Sequence, residues 1–357
     1  MKSVFIFGAG ASRQAGGPLM SDFFDKAERL LRLNKVPEAK AEFEDVFKAI
    51  SELQPMHAKS FFDLDNLEMV FGAIEMGQLI HKFAGRTPEQ ITKLREAMVT
   101  LIVKTLEQSI LFPAIKGQVH APQPYKQFAE MLSQVTSKTD TRDYSFITFN
   151  YDVALDYALS FNRILTDYYL TGDIAPISTA VPLLKLHGSI NWGHCPACNE
   201  IVPYEVGSVV WNLFREDNPS NVLFDLGSKI STQKHKRCGQ PLSGPPVIVP
   251  PTWDKTAHHA KLGKVWRRAA KELQGAENIF VIGYSLPDSD LFFRYLFSLG
   301  SEGETRIKRF WVIDPDKNVI EPRFRKLIGR GLENRFQFLE TGFESAIGSI
   351  SKALDDV

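Results

Sequence analysis

Four short apolar segments of this chain each end in glycine or polar residues, and their order constrains the fold more than any other feature. Segments rich in β-branched and aromatic residues are typical of buried strands, and stretches with helical periodicity lie between them. Strands that alternate with helices predict a mostly parallel sheet with helices on both faces. In chain order, the four strand-end clusters are Gly8-Ala9-Gly10-Ala11-Ser12, Asn150-Tyr151-Asp152, His187-Gly188 and Gly283-Tyr284-Ser285.

The same patterns divide the 357 residues into three predicted parts. An α/β core of Rossmann-like type is expected from residues 1–19, 141–190 and 243–357. Residues 20–140 are predicted to be an inserted helical block, because apolar residues repeat there at helical spacing. Residues 191–242 carry Trp, Cys, His and Gly without steady periodicity, and they predict a small irregular module. Core strands are predicted at 3–7, 144–149, 183–187, 247–249, 279–283, 310–313 and 336–339.

Composition excludes several classes of protein. Lys+Arg and Asp+Glu are both 42, so the net charge is zero and nothing favours direct nucleic-acid binding or an anionic membrane. No apolar run approaches the ~20 residues that span a bilayer. The first apolar stretch, residues 4–7, is shorter than the ~7–15-residue core of a signal peptide, so a strand is expected there. Three cysteines are too few for a disulfide framework, and a cytoplasmic location is expected.

The glycine turn after the first strand, Gly8 to Ser12, has two interpretations. Glycine allows a tight turn and close approach to a pyrophosphate, and a following helix would offer unpaired N–H groups. Ser12 could cap that helix or donate to a phosphate. The dehydrogenase fingerprint G-x-G-x-x-G fails, because position 13 is arginine. The turn is therefore either a phosphate cradle or a purely structural feature.

Polar residues end the next two strands. Asn150 and Asp152 point the same way at a period of two. An asparagine there can hold a water or a ribose hydroxyl, and a carboxylate can accept from a carboxamide, although helix capping also explains Asp152. His187 suits proton transfer near neutral pH, although a lone histidine at a strand end is more often structural.

Two later strand ends complete the predicted edge. Gly283, Tyr284 and Ser285 offer backbone N–H groups and a hydroxyl to a ligand. Asp314 follows the next strand, at a position where a carboxylate commonly binds a ribose hydroxyl, and a plain turn explains it equally well.

The cysteines predict a metal site of structural type. Cys195 and Cys198 form one C-x₂-C knuckle, and His235 with Cys238 forms an H-x₂-C knuckle after 36 intervening residues. Three thiolates and one imidazole make a closed tetrahedral zinc site, with no open position for catalysis. His194, next to Cys195, competes with His235 as the fourth ligand. The alternative is two unrelated pairs, or knuckles that have lost their metal.

Taken together, these residues resemble the sirtuin-like superfamily. The strand-end clusters, Gly17-Pro18 and the split zinc knuckles carry the resemblance over roughly two-thirds of the chain. Within the superfamily, the sequences around Phe149-Asn150-Tyr151-Asp152, Lys185-Leu186-His187-Gly188 and Ile282-Gly283-Tyr284-Ser285 look like the bacterial sirtuin-like proteins of antiphage defence.

The resemblance implies an NAD-consuming site. Residues Gly8 to Ser12 would hold the pyrophosphate, and Asn150 with His187 would flank the nicotinamide ribose as catalytic residues. Asp152 would meet the carboxamide. The adenosine end would be lined by Gly283, Tyr284, Ser285 and Asp314.

The resemblance also implies a reaction and a setting. It predicts an NAD+ glycohydrolase that depletes NAD+ in an infected bacterium, as a homo-oligomer kept inactive by a partner such as a HerA-type ATPase.

Two alternatives remain: an NAD-dependent protein deacylase, and a non-catalytic NAD- or ADP-ribose-binding sensor. Deacylase sirtuins carry a peptide-pairing strand after the zinc module, and here Pro250 and Pro251 interrupt that stretch. Proline removes the N–H donors that an added peptide strand would use.

Overall fold

A computed structural model describes residues 1–55, 60, 62–139, 142–170, 179–204, 213–215, 218–223, 225–249, 256–287 and 290–355. Within these ranges, the helices are α1 Phe23–Arg32, α2 Lys40–Leu53, α3 Leu67–Leu79, α4 Pro88–Ser109, α5 Tyr125–Thr139, α6 Ala154–Phe161, α7 Thr256–Gln274, α8 Leu291–Gly300, α9 Lys317–Arg325 and α10 Phe343–Asp355. The strands are β1 Ser3–Phe7, β2 Phe112–Ile115, β3 Gln118–Val119, β4 Tyr144–Thr148, β5 Thr166–Asp167, β6 Val181–Lys185, β7 Trp192–Cys195, β8 Glu200–Pro203, β9 Leu213–Arg215, β10 Asn218–Leu223, β11 Asn278–Ile282, β12 Arg309–Ile313 and β13 Phe336–Leu339.

Seven strands form one parallel sheet in the order β13-β12-β11-β1-β4-β6-β5. Every neighbouring pair in this sheet runs parallel. The central strand, β1, is paired along its whole length on both sides, with Phe5 opposite Phe280 on β11 and opposite Phe146 on β4. The predicted mostly parallel α/β fold is therefore confirmed.

Helices cover both faces of this sheet, which explains why its central strands are apolar on both sides. On one face, Phe5 packs edge-on against Phe128 of α5, and Phe128 contacts Phe343 of α10. On the other face, Phe310 of β12 lies between Phe297 of α8 and Phe324 of α9. The strands of the sheet are thus enclosed between two helical layers.

Two local predictions are wrong. The glycine turn after β1 is followed by a single 3-10 turn, Ala9–Ser12, and the first α-helix begins only at Phe23. Gly16 adopts a φ of +96° and Pro18 follows it, so the chain cannot continue as a helix. Residues 247–249 also form no strand of the sheet. Val247 instead exchanges single hydrogen bonds with Ser189 and Trp192, because the flanking prolines remove the donors that a ladder needs.

The chain forms two compact units. The first comprises Met1–Ala15, Phe112–Gly188 and Ala260–Val357, and it contains the parallel sheet. The second comprises Gly16–Leu111 and Ser189–His259, and it contains helices α1 to α4 and the β7–β8 hairpin. Helix α5 thus belongs to the first unit, while the division into three structural parts made from the sequence stays a prediction. None of the helices in the described ranges is both long and apolar enough to cross a bilayer.

A buried carboxylate organises part of the second unit. Glu107, near the end of α4, accepts hydrogen bonds from the backbone N–H groups of Leu226, Gly227 and Ser228 at 2.9, 2.7 and 3.1 Å. Burial raises the pKa of this carboxyl group, and the hydrogen bond from the Ser228 hydroxyl opposes the rise. One side chain therefore satisfies three backbone donors of a loop that has no regular structure of its own.

Close backbone packing at the end of β11 generates the first prediction. Gly283 has a φ of +59°, and a Cβ at this position would lie 2.2 Å from the backbone nitrogen of Ala11. Gly283→Ala should therefore lower the free energy of unfolding by about 1–3 kcal/mol or more, the usual cost of a side chain in this conformation plus the clash. In the exposed Gly348→Ala control, the added Cβ meets no atom within 4 Å, and helix α10 should gain about 0.5–1 kcal/mol. Urea denaturation of both variants checks this, and equal stability of the two would contradict it.

Candidate active site

The carboxyl ends of five neighbouring strands carry the predicted site residues in a single row. Across the sheet from β12 to β6, the strand ends lead to Asp314, Gly283, the Gly8 turn, Asn150 and His187 in that order. Four spacings of ~4.8 Å between strands give a row of about 19 Å. An open parallel sheet binds its ligands at this edge, so a ligand there would be extended across the strands.

The glycine turn packs directly onto the loop after β11. The N–H groups of Gly8 and Gly10 donate to the carbonyls of Ile282 and Gly283 at 3.1 and 2.9 Å. A Cβ on Gly8 would lie 2.5 Å from the Tyr284 Cα, and one on Gly10 would lie 2.9 Å from the Gly283 Cα. The glycines are therefore required for contact between two backbones, in addition to any role in binding a ligand.

The Asn150 amide is held in one orientation. Its Nδ2 atom donates to the carbonyl of Gly8 at 3.0 Å and to Oγ of Ser12 at 3.1 Å. Because the amide nitrogen faces the glycine turn, the carbonyl oxygen of the same group must face away from it. Asn150 is half-buried, so this oxygen is suited to accept a hydrogen bond from a water or a hydroxyl group.

Ser12 is the centre of a buried polar cluster. Its hydroxyl donates to Oδ2 of Asp152 at 2.7 Å, and the Tyr125 hydroxyl lies 2.8 Å from it. A serine hydroxyl has one donor and two acceptor positions. Ser12 therefore donates to Asp152 while it accepts from Asn150 and Tyr125. This arrangement commits its proton to the protein and not to a phosphate.

Burial governs the electrostatics of this cluster. It raises the pKa of Asp152, and the nearby ammonium of Lys185 opposes the rise. It also raises the pKa of the Tyr125 hydroxyl well above its usual range, so that tyrosine stays neutral and donates. Asp152 accepts a further bond from the Ala154 N–H at 2.9 Å, at the start of α6, so its predicted capping role is also present.

His187 lies beside Asn150 at the strand ends. Thr148 at the end of β4 is paired with Lys185 at the end of β6, so Asn150 and His187 each lie two residues beyond the ends of adjacent strands. The rings of Phe149 and Tyr151, which flank Asn150, lie 5.1 and 6.4 Å from the imidazole. The structure thus brings the amide and the imidazole, 37 positions apart in the numbering, to the same part of the sheet edge.

The predicted adenosine-end residues differ in their surroundings. Tyr284 stacks on Phe149 at 4.2 Å and donates its hydroxyl to Asp290 at 2.6 Å, so its side chain links two loops. Ser285 is exposed, and its backbone carbonyl accepts from Arg323. Asp314 is half-buried, accepts from the Asp316 N–H at 2.9 Å, and has its pKa raised by burial.

Two residues of this region were missed by the sequence analysis. Tyr125 begins a helix that carries no local indication of contact with the glycine turn. Lys185 carried one usable indication, because a charged residue inside an apolar strand, one residue before Leu186-His187, implies a buried partner. What that partner is depends on strand order, which the local sequence does not reveal.

The second unit brings together the four predicted metal ligands. One ligand atom each from Cys195, Cys198, His235 and Cys238 lies within 4.8 Å of all the others. The Sγ atoms of Cys195 and Cys238 are 3.6 Å apart, and His235 Nδ1 is 3.3 Å from the Cys238 sulfur. Zinc–sulfur bonds of ~2.3 Å at tetrahedral angles place sulfurs about 3.8 Å apart, so the donor set fits zinc.

The surroundings of the cluster select His235 over His194. The Nε2 atom of His235 lies 3.9 Å from the Glu200 carboxylate, a common arrangement behind a ligating histidine. His194 instead contacts the Asn199 side chain at 3.2 Å and lies outside the cluster. The loops of both knuckles contain a residue with positive φ, Asn199 in one and Gly239 in the other. A zinc ion held there would have all four of its positions filled by protein, which is typical of a structural site.

Comparisons with known proteins add little to these observations. No protein-family model matches the sequence, and no curated protein matches it. The chain is similar to a Sir2 homologue in complex with NAD, with 14% identity, coverage of 99% of this chain and 89% of that chain, and a TM-score of 0.44. A Sir2 homologue mutant bound to ADP-ribose has 14% identity and a TM-score of 0.43, and Sir2Tm bound to a propionylated peptide has 12% identity and a TM-score of 0.39. Both matches cover 99% of this chain and 92% of the other chain. Similarity at this level carries no argument, so the assignment of the site rests on its own residues.

The metal cluster generates the second prediction. Purified protein should contain one zinc ion per chain by mass spectrometry, and Cys238→Ser should lose it and unfold at a lower temperature, because a closed zinc site contributes folding free energy. His194→Ala is the matched control, and it should keep the full zinc content. Equal metal loss in the two variants would contradict the assignment of His235.

The raised pKa of Asp152 generates the third prediction. Burial raises the pKa of the Asp152 carboxyl in the folded chain above its ordinary value of 3.8. At a pH between 3.8 and the raised pKa, the folded chain therefore binds more protons than the unfolded chain. The contribution of Asp152 to stability should therefore fall as pH rises through this window. The difference in unfolding free energy between wild type and Asp152→Asn, measured in urea from pH 4 to pH 8, should shift against the wild type as pH rises. A difference that is constant, or that shifts towards the wild type, would contradict this.

Proposed function

We propose that this protein is an NAD+ glycohydrolase of the sirtuin-like superfamily, which cleaves NAD+ to nicotinamide and ADP-ribose. The observation that carries the proposal is that Asn150 and His187 follow the ends of neighbouring strands at the carboxyl edge of one parallel sheet, with Asn150 bonded to the glycine turn. The row of strand ends supports an extended dinucleotide, with the adenosine near Asp314, the pyrophosphate near the Gly8 turn and the nicotinamide ribose between Asn150 and His187.

The chemistry requires little covalent assistance from the protein. The bond between ribose C1′ and the nicotinamide nitrogen breaks with its electron pair moving to the ring, so the positively charged pyridinium leaves as neutral nicotinamide. A water oxygen then bonds to C1′ and releases one proton. The site needs to orient the ribose, exclude bulk solvent and place that water.

The roles of Asn150 and His187 follow from their positions at the strand ends, and the role of Asp152 follows from the resemblance. The outward-facing carbonyl oxygen of Asn150 would accept from the attacking water or a ribose hydroxyl. His187 would take the proton that the water loses, directly or through a ribose hydroxyl. Asp152 would meet the carboxamide. Since the Ser12 hydroxyl donates to Asp152, the pyrophosphate would lie against the half-buried backbone of Ala9 and Gly10.

One observation favours hydrolysis over deacylation. In the stretch that would pair with an acyl-lysine peptide, the N–H and carbonyl of Val247 already bond to Trp192 and Ser189 at 2.8 and 3.0 Å. The two prolines that follow, Pro250 and Pro251, lie outside the described residues. A peptide strand would find neither backbone group of Val247 available.

The zinc cluster has a structural role in this proposal. Cys195, Cys198, His235 and Cys238 would hold the ion, and the bound ion would supply a cross-link between two knuckles without an open position for substrate.

The resemblance seen in the sequence extends the proposal to a biological setting. That setting is NAD+ depletion in an infected bacterial cell, by a homo-oligomer restrained by a HerA-type ATPase or another defence partner.

Nicotinamide release tests the proposed function. Asn150→Ala and His187→Ala should each reduce the turnover of NAD+ by about 100-fold or more, because each removes a group that positions or deprotonates the water. Circular dichroism and melting temperature should show that both variants are folded. His81→Asn changes an exposed histidine and is the matched control, with unchanged turnover.

The same assay separates the alternatives. It should be run with the full chain alone and with its candidate partner. Near-full cleavage by both Asn150→Ala and His187→Ala would refute the roles assigned here. Tight NAD+ binding without nicotinamide release by the wild type would favour a sensor. Formation of O-acetyl-ADP-ribose from an acetyl-lysine peptide would favour a deacylase.

A further inference from the structure

Lys185, the last residue of β6, is buried with only 1% of its surface exposed. Lysine is almost never fully buried unless it is paired. Its ammonium donates to Oδ2 of Asp156 at 3.0 Å and to the backbone carbonyl of Asp152. Tyr168 donates to the other oxygen of the Asp156 carboxylate at 2.6 Å. One buried cation therefore joins β6 both to helix α6 and to the loop after β4.

The carbonyl that Lys185 binds belongs to the loop that carries Asn150. Two local hydrogen bonds fix the internal shape of this loop, from the Asn150 N–H to Thr148 Oγ1 at 3.1 Å and from the Ala154 N–H to Asp152 Oδ1 at 2.9 Å. Longer-range contacts fix its position, among them the bond from Ser12 at the end of β1 and the bond from Lys185 at the end of β6. Because His187 follows Lys185 by two residues, the same strand end locates both the imidazole and the loop.

Stability alone does not account for this pair. Removing two charges from water is costly, and well-packed apolar side chains often replace a buried ion pair with no loss of stability. Strands β4 and β6 are already joined by a parallel ladder, in which Phe146, Ile147 and Thr148 pair with Leu183, Leu184 and Lys185. What the ammonium adds is a fixed hydrogen bond to a main-chain carbonyl two residues beyond Asn150.

We propose that Lys185 is a positioning residue that sets the Asn150 loop against His187 and thereby aligns the two groups on one ribose. This inference rests on the proposed glycohydrolase function. Asp156 neutralises the ammonium, Tyr168 orients the Asp156 carboxylate, and neither has a role in touching the substrate. Misplacement of the loop by ~1 Å is enough to reduce turnover by about 100-fold, while binding of the rest of the dinucleotide is preserved.

The decisive variant is the double substitution Lys185→Met/Asp156→Leu. Lys185→Met alone leaves Asp156 buried without its cation and should lower the melting temperature. The double variant removes both charges, and its melting temperature should recover towards that of the wild type. Its kcat for nicotinamide release should nevertheless stay ~10–100-fold low, with the KM for NAD+ within about 3-fold of the wild type.

Hydrogen–deuterium exchange supplies a readout that does not depend on activity. In the double variant, the backbone amides of Asn150 and Ala154 should exchange at least ~10-fold faster than in the wild type, because the loop has lost its hydrogen bond to β6. Glu272→Gln is the matched control. It weakens the ion pairs of the buried Glu272 carboxylate with Arg268 and with the partly exposed Lys2, which lies 2.9 Å away at the amino end of the sheet. It should lower the melting temperature but change neither kcat nor exchange in the loop.

The outcomes are distinct. Recovery of both melting temperature and kcat in the double variant, or unchanged exchange of the two amides, would overturn the positioning role. Release of no nicotinamide by the wild type under any condition would refute the proposed function, and the exchange measurement would then decide the role of Lys185 by itself.

Discussion

The hydrogen bonds between the loop after β4 and the glycine turn after β1 are the interaction on which the candidate site depends. Asn150 donates to Gly8 and Ser12, and Ser12 donates to Asp152. Without these bonds, the Asn150 amide could rotate and present either its nitrogen or its oxygen to a ligand. With them, the nitrogen is held by the protein and the oxygen is directed outward. A preoriented acceptor needs little reorganisation when a ligand binds.

This arrangement is possible because the buried polar groups satisfy one another. A buried hydroxyl or carboxylate without a partner costs more than a hydrogen bond contributes, so such clusters are stable only when donors and acceptors match. Ser12 uses its one donor and both acceptor positions on Asp152, Asn150 and Tyr125. A change at any of these positions should therefore affect the others, and single substitutions there should not be additive.

The second unit uses a different physical strategy. Described loops of this unit are held by point contacts, such as the carboxylate of Glu107 on three backbone N–H groups. The four ligands of the metal cluster provide a second such point. A zinc ion bound there would add a cross-link between the two knuckles and so contribute folding free energy. The closed ligand set separates this role from the chemistry proposed at the sheet edge.

Local sequence determined the strands, the helices and the metal ligands. The tertiary structure determined which residues distant in the chain contact each other. The strands at 3–7 and 336–339 have the bounds that their apolar runs predict, and the ligand spacing within each knuckle identified the cysteines and His235. Local reasoning was wrong at 247–249, where proline neighbours outweighed apolar composition. The contacts of Asn150 with Gly8 and of Lys185 with Asp152 join residues 142 and 33 positions apart. Such contacts follow from the order of strands in the sheet, which is set by packing of the whole chain and not by any local pattern.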